Sequence, residues 1–158
     1  MDTTPNDLDT LYSDRHLQCV ITSYGAGHHD DPHGSALLVD TRILRNPPED
    51  PEVRERMLHS TGLDPEVRRY VMATEGAREL VAENAEKVRI LLQTGNLQQW
   101  ANGQLFRVDV HVVCGGGRHR SVAVAAEIAA YLRAAGIGCE VEHRHIDRPI
   151  LETGPANA

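Results

Sequence analysis

The run Val112-Val113-Cys114-Gly115-Gly116-Gly117-Arg118-His119-Arg120-Ser121 constrains this chain more than any other stretch. It reads as an apolar strand, a three-glycine turn and the opening of a helix. Glycines let the backbone curl until several N–H groups face one point. The helix behind them adds the positive end of its dipole. Arg118 and Arg120 offer forked donors that match phosphate oxygens. Ser121 can cap the helix or meet the anion. A strand handed to a helix in this way belongs to an α/β domain, and ligands bind there beyond the carboxyl ends of strands.

The remaining punctuation fits that class. Strands are expected at His16–Tyr24, Ala36–Asp40, Leu105–Val113 and Gly138–His145. Helices are expected at Pro51–His59, from Pro65 behind an Asp64 cap, from Gly76 to Gln93, and from His119 to Ala135 with Gly136 as the stop. The inner stripe of the long helix reads as Leu80, Val81, Ala85, Val88, Leu91 and Leu92. The expected fold is α/β: a single compact domain, with a short, mostly parallel sheet of about four strands flanked by helices. Residues 1–14 read as a flexible acidic leader, 15–150 as the domain and 151–158 as a frayed tail.

Composition narrows the function. The 158 residues carry a net charge of −7, whereas DNA binders carry a basic surplus that displaces counterions. RNA would need a local basic face, from Arg118, Arg120, Arg144 and Arg148. No apolar run reaches the roughly 20 residues of a membrane span. The acidic stretch from Met1 to Asp7 is no secretory signal. Three cysteines (Cys19, Cys114, Cys139) without paired spacing suit a reducing, cytoplasmic setting.

The glycine loop is not a Walker loop, because no lysine follows its last glycine, and it lacks the G-x-G-x-x-G spacing of dinucleotide-binding folds. It does fit C-x-x-G-x-x-R-[ST] through Cys114, Gly117, Arg120 and Ser121, which is the C-x5-R phosphate loop of cysteine phosphatases. A thiolate at a helix N-terminus beside arginines can attack phosphorus. The histidine that precedes such a cysteine in tyrosine phosphatases is Val113 here, and only Asp40 or Asp64 offers a general acid. Two further clusters stand out. His28-His29-Asp30-Asp31-Pro32-His33 meets no known metal spacing and reads as a solvated or ligand-gating loop. On a strand, His143 and His145 would share one face and Arg144 the other.

Several segments together resemble the C-terminal domain of the RapZ family, the RNase adapter proteins. They are Ser23-Tyr24-Gly25, Val39-Asp40-Thr41-Arg42 with Asn46-Pro47, Thr61-Gly62-Leu63-Asp64, Cys114-x-Gly116-Gly117-Arg118-His119-Arg120-Ser121, and His143-Arg144. The resemblance runs from about Leu17 to Asp147 and covers that domain only, without the family's N-terminal nucleotide-binding domain. It implies an α/β unit that binds glucosamine-6-phosphate and a regulatory RNA. Carried over by residue, the ligand site would comprise Asp40, Cys114, Gly115, Gly116, Gly117, His119, Arg120 and Ser121. This chain departs from the family in having Pro48 where a ligand histidine follows N-P, and Gly27-His28-His29 where the family has a lysine.

The expected function is therefore a non-catalytic sensor or adapter for a small phosphorylated metabolite, an amino-sugar phosphate, with no cofactor and no metal. Arg118 and Arg120 would clamp the phosphate, Gly115, Gly116 and Gly117 would donate backbone N–H groups, Asp40 would read the sugar, and His28 and His29 would gate the loop. A protein partner or a second copy would sense the bound state. The alternatives are a phosphatase that uses Cys114 and Arg120, and an RNA-binding adapter module.

Overall fold

In a computed structural model, which describes residues 17–44, 50–99 and 107–151, the strands form one parallel sheet. They are β1 (Leu17–Gly25), β2 (Leu37–Asp40), β3 (Val108–Cys114) and β4 (Gly138–His143), in the order β2-β3-β1-β4. Register pairs Gly25 with Cys114, Asp40 with Val113, and Ser23 with His143. All four carboxyl ends therefore meet along one edge.

Alternation explains the sheet. On β3, Val108, Val110 and Val112 are buried while Asp109 and His111 between them are half-buried. On β1, Cys19 and Ile21 point the same way as those valines and join the core. The four helices pack on this face. They are α1 (Pro51–Leu58), α2 (Pro65–Ala73), α3 (Ala77–Gln99) and α4 (Arg120–Ala134). The opposite face carries Leu38 at 57% exposure, with Glu140 and Glu142 exposed. Among the described residues the helices thus cover this face of the sheet.

Local signals set the helix starts. The Asp50 carboxylate accepts from the N–H groups of Glu52 and Val53, and Asp64 accepts from that of Glu66. A proline follows each cap, where its missing N–H costs nothing. α4 is the central helix. Val122, Val124, Ala125, Ile128, Ala129 and Leu132 are all fully buried, because it lies against β1, β3 and β4 on one side and against α2 and α3 on the other. Gly136 ends it at φ +82°.

Four details differ from the sequence reading. α3 continues to Gln99 instead of ending at Gln93. Its buried stripe is Val81, Ala85, Val88 and Leu92, and Leu91 falls outside it at 43% exposure. β4 stops at His143 and a turn begins at Arg144, so His143 and His145 do not share a strand face. Short 3-10 turns follow β1 (Ala26–His28) and β2 (Thr41–Ile43). The leader, Leu105 and Phe106, Asn46-Pro47-Pro48 and the tail beyond Leu151 lie outside the described residues. Among the described residues no helix is long and apolar enough to cross a membrane.

Candidate functional site

The glycine loop sits at the centre of the carboxyl edge, between the segments that follow β1, β2 and β4. Its path depends on close backbone approach. A Cβ on Gly25 would lie 2.4 Å from the carbonyl carbon of Gly116, and one on Gly62 would lie 2.3 Å from the His119 carbonyl oxygen. Gly117 is left-handed at φ +75° and fits against Gly25 and His145. Gly116 faces open space. Neighbouring segments of the chain hold the loop from outside. Gly27 N–H donates to Gly115 O at 2.9 Å, and Gly62 N–H donates to Arg118 O at 2.7 Å. The Thr61-Gly62-Leu63-Asp64 turn is therefore a brace for the loop.

Cys114 is buried at the end of β3. Its sulfur accepts the Gly117 N–H at 3.1 Å and lies 3.1 Å from the Ser121 hydroxyl. His119 stands at the N-cap of α4 and makes no side-chain cap bond there. Its Nε2 instead donates to the carbonyl of Met57 at 2.9 Å. Burial pushes its pKa below the ordinary value.

The two arginines part company. Arg120 turns toward β2 and donates to Leu44 O at 3.0 Å and Arg42 O at 3.4 Å. Arg118 turns the other way and donates to Ile146 O at 3.0 Å and Arg148 O at 2.9 Å. The sequence brings both arginines to the loop, and the structure aims them at opposite flanks.

On the β2 flank, Asp40 takes a forked grip from Arg42, at 2.9 Å to Oδ1 and 2.8 Å to Oδ2. It also caps the following turn through the Arg42 N–H. The Arg42 bond, helped by the charge of Arg120, holds the Asp40 carboxyl below the usual range. Thr41, fully buried, donates its hydroxyl to Val113 O at 2.7 Å and ties this corner to β3. Asp40, Arg42 and Arg120 are close enough to shift one another's ionisation. Arg42 was not among the sequence-derived candidates, although it lies in the D-x-R segment that pointed to Asp40.

On the β4 flank, His145 is fully buried. Its Nδ1 accepts the Gly25 N–H at 2.8 Å, and its Nε2 donates to Asp30 at 3.2 Å. Arg144 donates to the Asp30 carboxylate and carbonyl, each at 2.8 Å. Arg148 lies 4.0 Å from the same carboxylate. Arg144, the largest cause, and His145 draw the Asp30 pKa down to about 2. His28 packs its ring on His145, centroids 4.6 Å apart, and donates to Gly116 O at 3.1 Å. His28 thus touches the glycine loop, while His29 takes up a left-handed turn at φ 52°. Among the described residues no group of three His, Cys, Asp or Glu is gathered to hold a metal. A separate groove lies between α2, α3 and α4 and is lined by Arg68, Met72, Arg78 and Tyr131.

The profile of the RapZ C-terminal domain matches residues 17–147. A protein of Salinispora tropica named a nucleotide-binding protein is 35% identical over 134 residues, which is 85% of this chain and 41% of that protein. Proteins of the same name from Thermobifida fusca and Streptomyces avermitilis are 34% and 37% identical over 132 residues, 84% of this chain and 42% and 41% of theirs. The chain thus spans about two-fifths of the length of these curated relatives.

Proposed function

This chain belongs to the family of RapZ C-terminal domains, and on that premise we propose that it binds a small phosphorylated metabolite, an amino-sugar phosphate, as a sensor without turning it over. The observation that carries the reading is the junction of the glycine loop with α4. A 15-residue helix opens there without a side-chain cap, behind a loop whose Gly116 faces open space. A phosphate set at that junction meets backbone N–H groups and the positive helix end. Asp40, held ionised by Arg42, pairs in register with Val113, the residue before Cys114, and suits a sugar ammonium. The relatives' name belongs to proteins more than twice as long. The loop of this chain has neither the lysine nor the glycine spacing of the common nucleotide motifs, so its ligand is read as a phosphosugar rather than a nucleotide.

Calorimetric titration with glucosamine-6-phosphate, beside inorganic phosphate, tests this. Preferential, saturable binding of the phosphosugar supports it. Equal binding of bare phosphate retains the seat and removes the sugar. No binding of either rejects the proposal.

A second reading rests on one observation: the Cys114 sulfur receives the Gly117 N–H and contacts the Ser121 hydroxyl, as a thiolate nucleophile in a C-x5-R loop requires. It predicts hydrolysis of p-nitrophenyl phosphate that disappears in Cys114→Ser. An inactive wild-type protein rejects it.

A further inference from the structure

Cys19 and Cys139 take no part in the site described above. They are register partners on the adjacent parallel strands β1 and β4, and both side chains face the core side of the sheet. Neighbouring strands lie about 4.8 Å apart, inside the Cα separation of about 4.4–6.8 Å that a disulfide spans. The pairing slips by one residue at Gln18, just before Cys19, which gives the backbone slack at that point. The Cys139 thiol donates to the Ile137 carbonyl at 3.6 Å, and the two thiols lie close enough to shift each other's ionisation. Cys114 cannot compete. It aligns with Gly25, six residues along β1 from Cys19, or roughly 20 Å at strand spacing.

We propose that Cys19 and Cys139 are a dithiol modification site, which a peroxide oxidant closes to an intramolecular disulfide. The roles of the two sulfurs differ. Cys139 is half-buried on an edge strand, while Cys19 is wholly buried. The neighbouring Cys19 and the nearby Arg133 lower the Cys139 pKa, whereas Cys19 is pushed up by the neighbouring Cys139 and by burial. Arg133 is anchored there by a 2.8 Å bond to the Cys139 carbonyl. The Cys139 thiolate attacks one oxygen of hydrogen peroxide and the O–O bond breaks. Hydroxide leaves and is protonated to water, and the sulfur becomes a sulfenic acid. The Cys19 sulfur then attacks the Cys139 sulfur. The S–O bond breaks, and the hydroxyl departs with the Cys19 proton as a second water. Two thiols and one peroxide give one disulfide and two waters. The bond fastens edge strand β4 to β1, at the end of the sheet away from the glycine loop.

The test is peroxide treatment of the purified protein, followed by denaturation, thiol alkylation and peptide mass mapping. The expected product is two hydrogens lighter, with a Cys19–Cys139 peptide pair and only Cys114 alkylated. Cys114→Ser should form the same bridge. Cys139→Ser and, independently, Cys19→Ala should form none. The proposal is overturned by three alkylated cysteines after treatment, by a bridge between chains or to Cys114, or by a Cys139 sulfinic acid beside an alkylated Cys19.

Discussion

The His145 imidazole accepts the backbone N–H of Gly25 at 2.8 Å, although the two residues lie 120 positions apart. That one contact fixes the tautomer. With Nδ1 accepting, the proton sits on Nε2 and points to Asp30. It also secures the end of β1 at the point where Gly117 packs against it.

Replacing His145 with Ala should leave the Gly25 N–H buried and unpaired, which costs about 1–3 kcal/mol, besides the lost packing of a fully buried ring. Chemical denaturation should show a lower midpoint than wild type. An unchanged midpoint would mean that the contact does not hold the fold.

Acid should weaken the protein in two stages. Burial lowers the pKa values of His111, His119 and His143, and, despite the opposing Asp30 bond, that of His145, from the ordinary 6.5. As pH falls through 6.5, the unfolded chain therefore takes up protons that the folded chain refuses, and stability drops. Asp30 acts later. Its pKa is depressed from 3.8 to about 2, so its contribution is intact above 3.8 and vanishes as pH falls toward 2. Thermal melts from pH 8 to pH 5 should shift steadily downward. A flat profile over that span would contradict the histidine assignments.

Much of this arrangement is legible in the residues themselves. The glycine loop, the Asp50 and Asp64 caps and the Val108–Val112 alternation are local patterns, and local physics decides them. The lock of His145, Asp30 and Arg144 is not legible, because it exists only once β4 lies beside β1 and brings residues 115 positions apart together. Residue type likewise suggests that Arg118 and Arg120 act as a pair. Arg118 precedes α4 while Arg120 begins it, and that difference turns them to opposite flanks. Leu91 matched a helical stripe by spacing, yet it sits one position off the buried line through Val88 and Leu92.

The glycines in and against the loop should not be equivalent. Gly25→Ala and Gly62→Ala put a methyl group into backbone at 2.4 and 2.3 Å, and overpacking of this kind costs about 1–3 kcal/mol or more. Gly116→Ala meets nothing and should melt within a degree or so of wild type, as surface changes do. Differential scanning calorimetry of the three variants checks the order. Similar losses in all three would show that the close approach is not the constraint.

Removing each arginine should act on a different flank. Arg120→Ala should weaken phosphosugar binding about 10-fold or more, the worth of a charged hydrogen bond near the seat. Arg118→Ala should mainly loosen the turn at Ile146 and Arg148, which it holds through two carbonyls. Amide hydrogen exchange of residues 144–148 beside calorimetric affinities distinguishes the two effects. Equal affinity losses without faster exchange in Arg118→Ala would place both arginines on the ligand.

The central claim is that the glycine loop seats the phosphate, and amide chemical shifts read it most directly. Titrating labelled protein with glucosamine-6-phosphate should move the N–H signals of Gly115, Gly116, Gly117, Arg120 and Ser121 along one saturable curve. Gly116→Asp, which sets a carboxylate in the open space beside the loop, should abolish those shifts without lowering the melting temperature. Silent loop amides, with shifts confined to the groove around Arg68, Arg78 and Tyr131, would contradict the account.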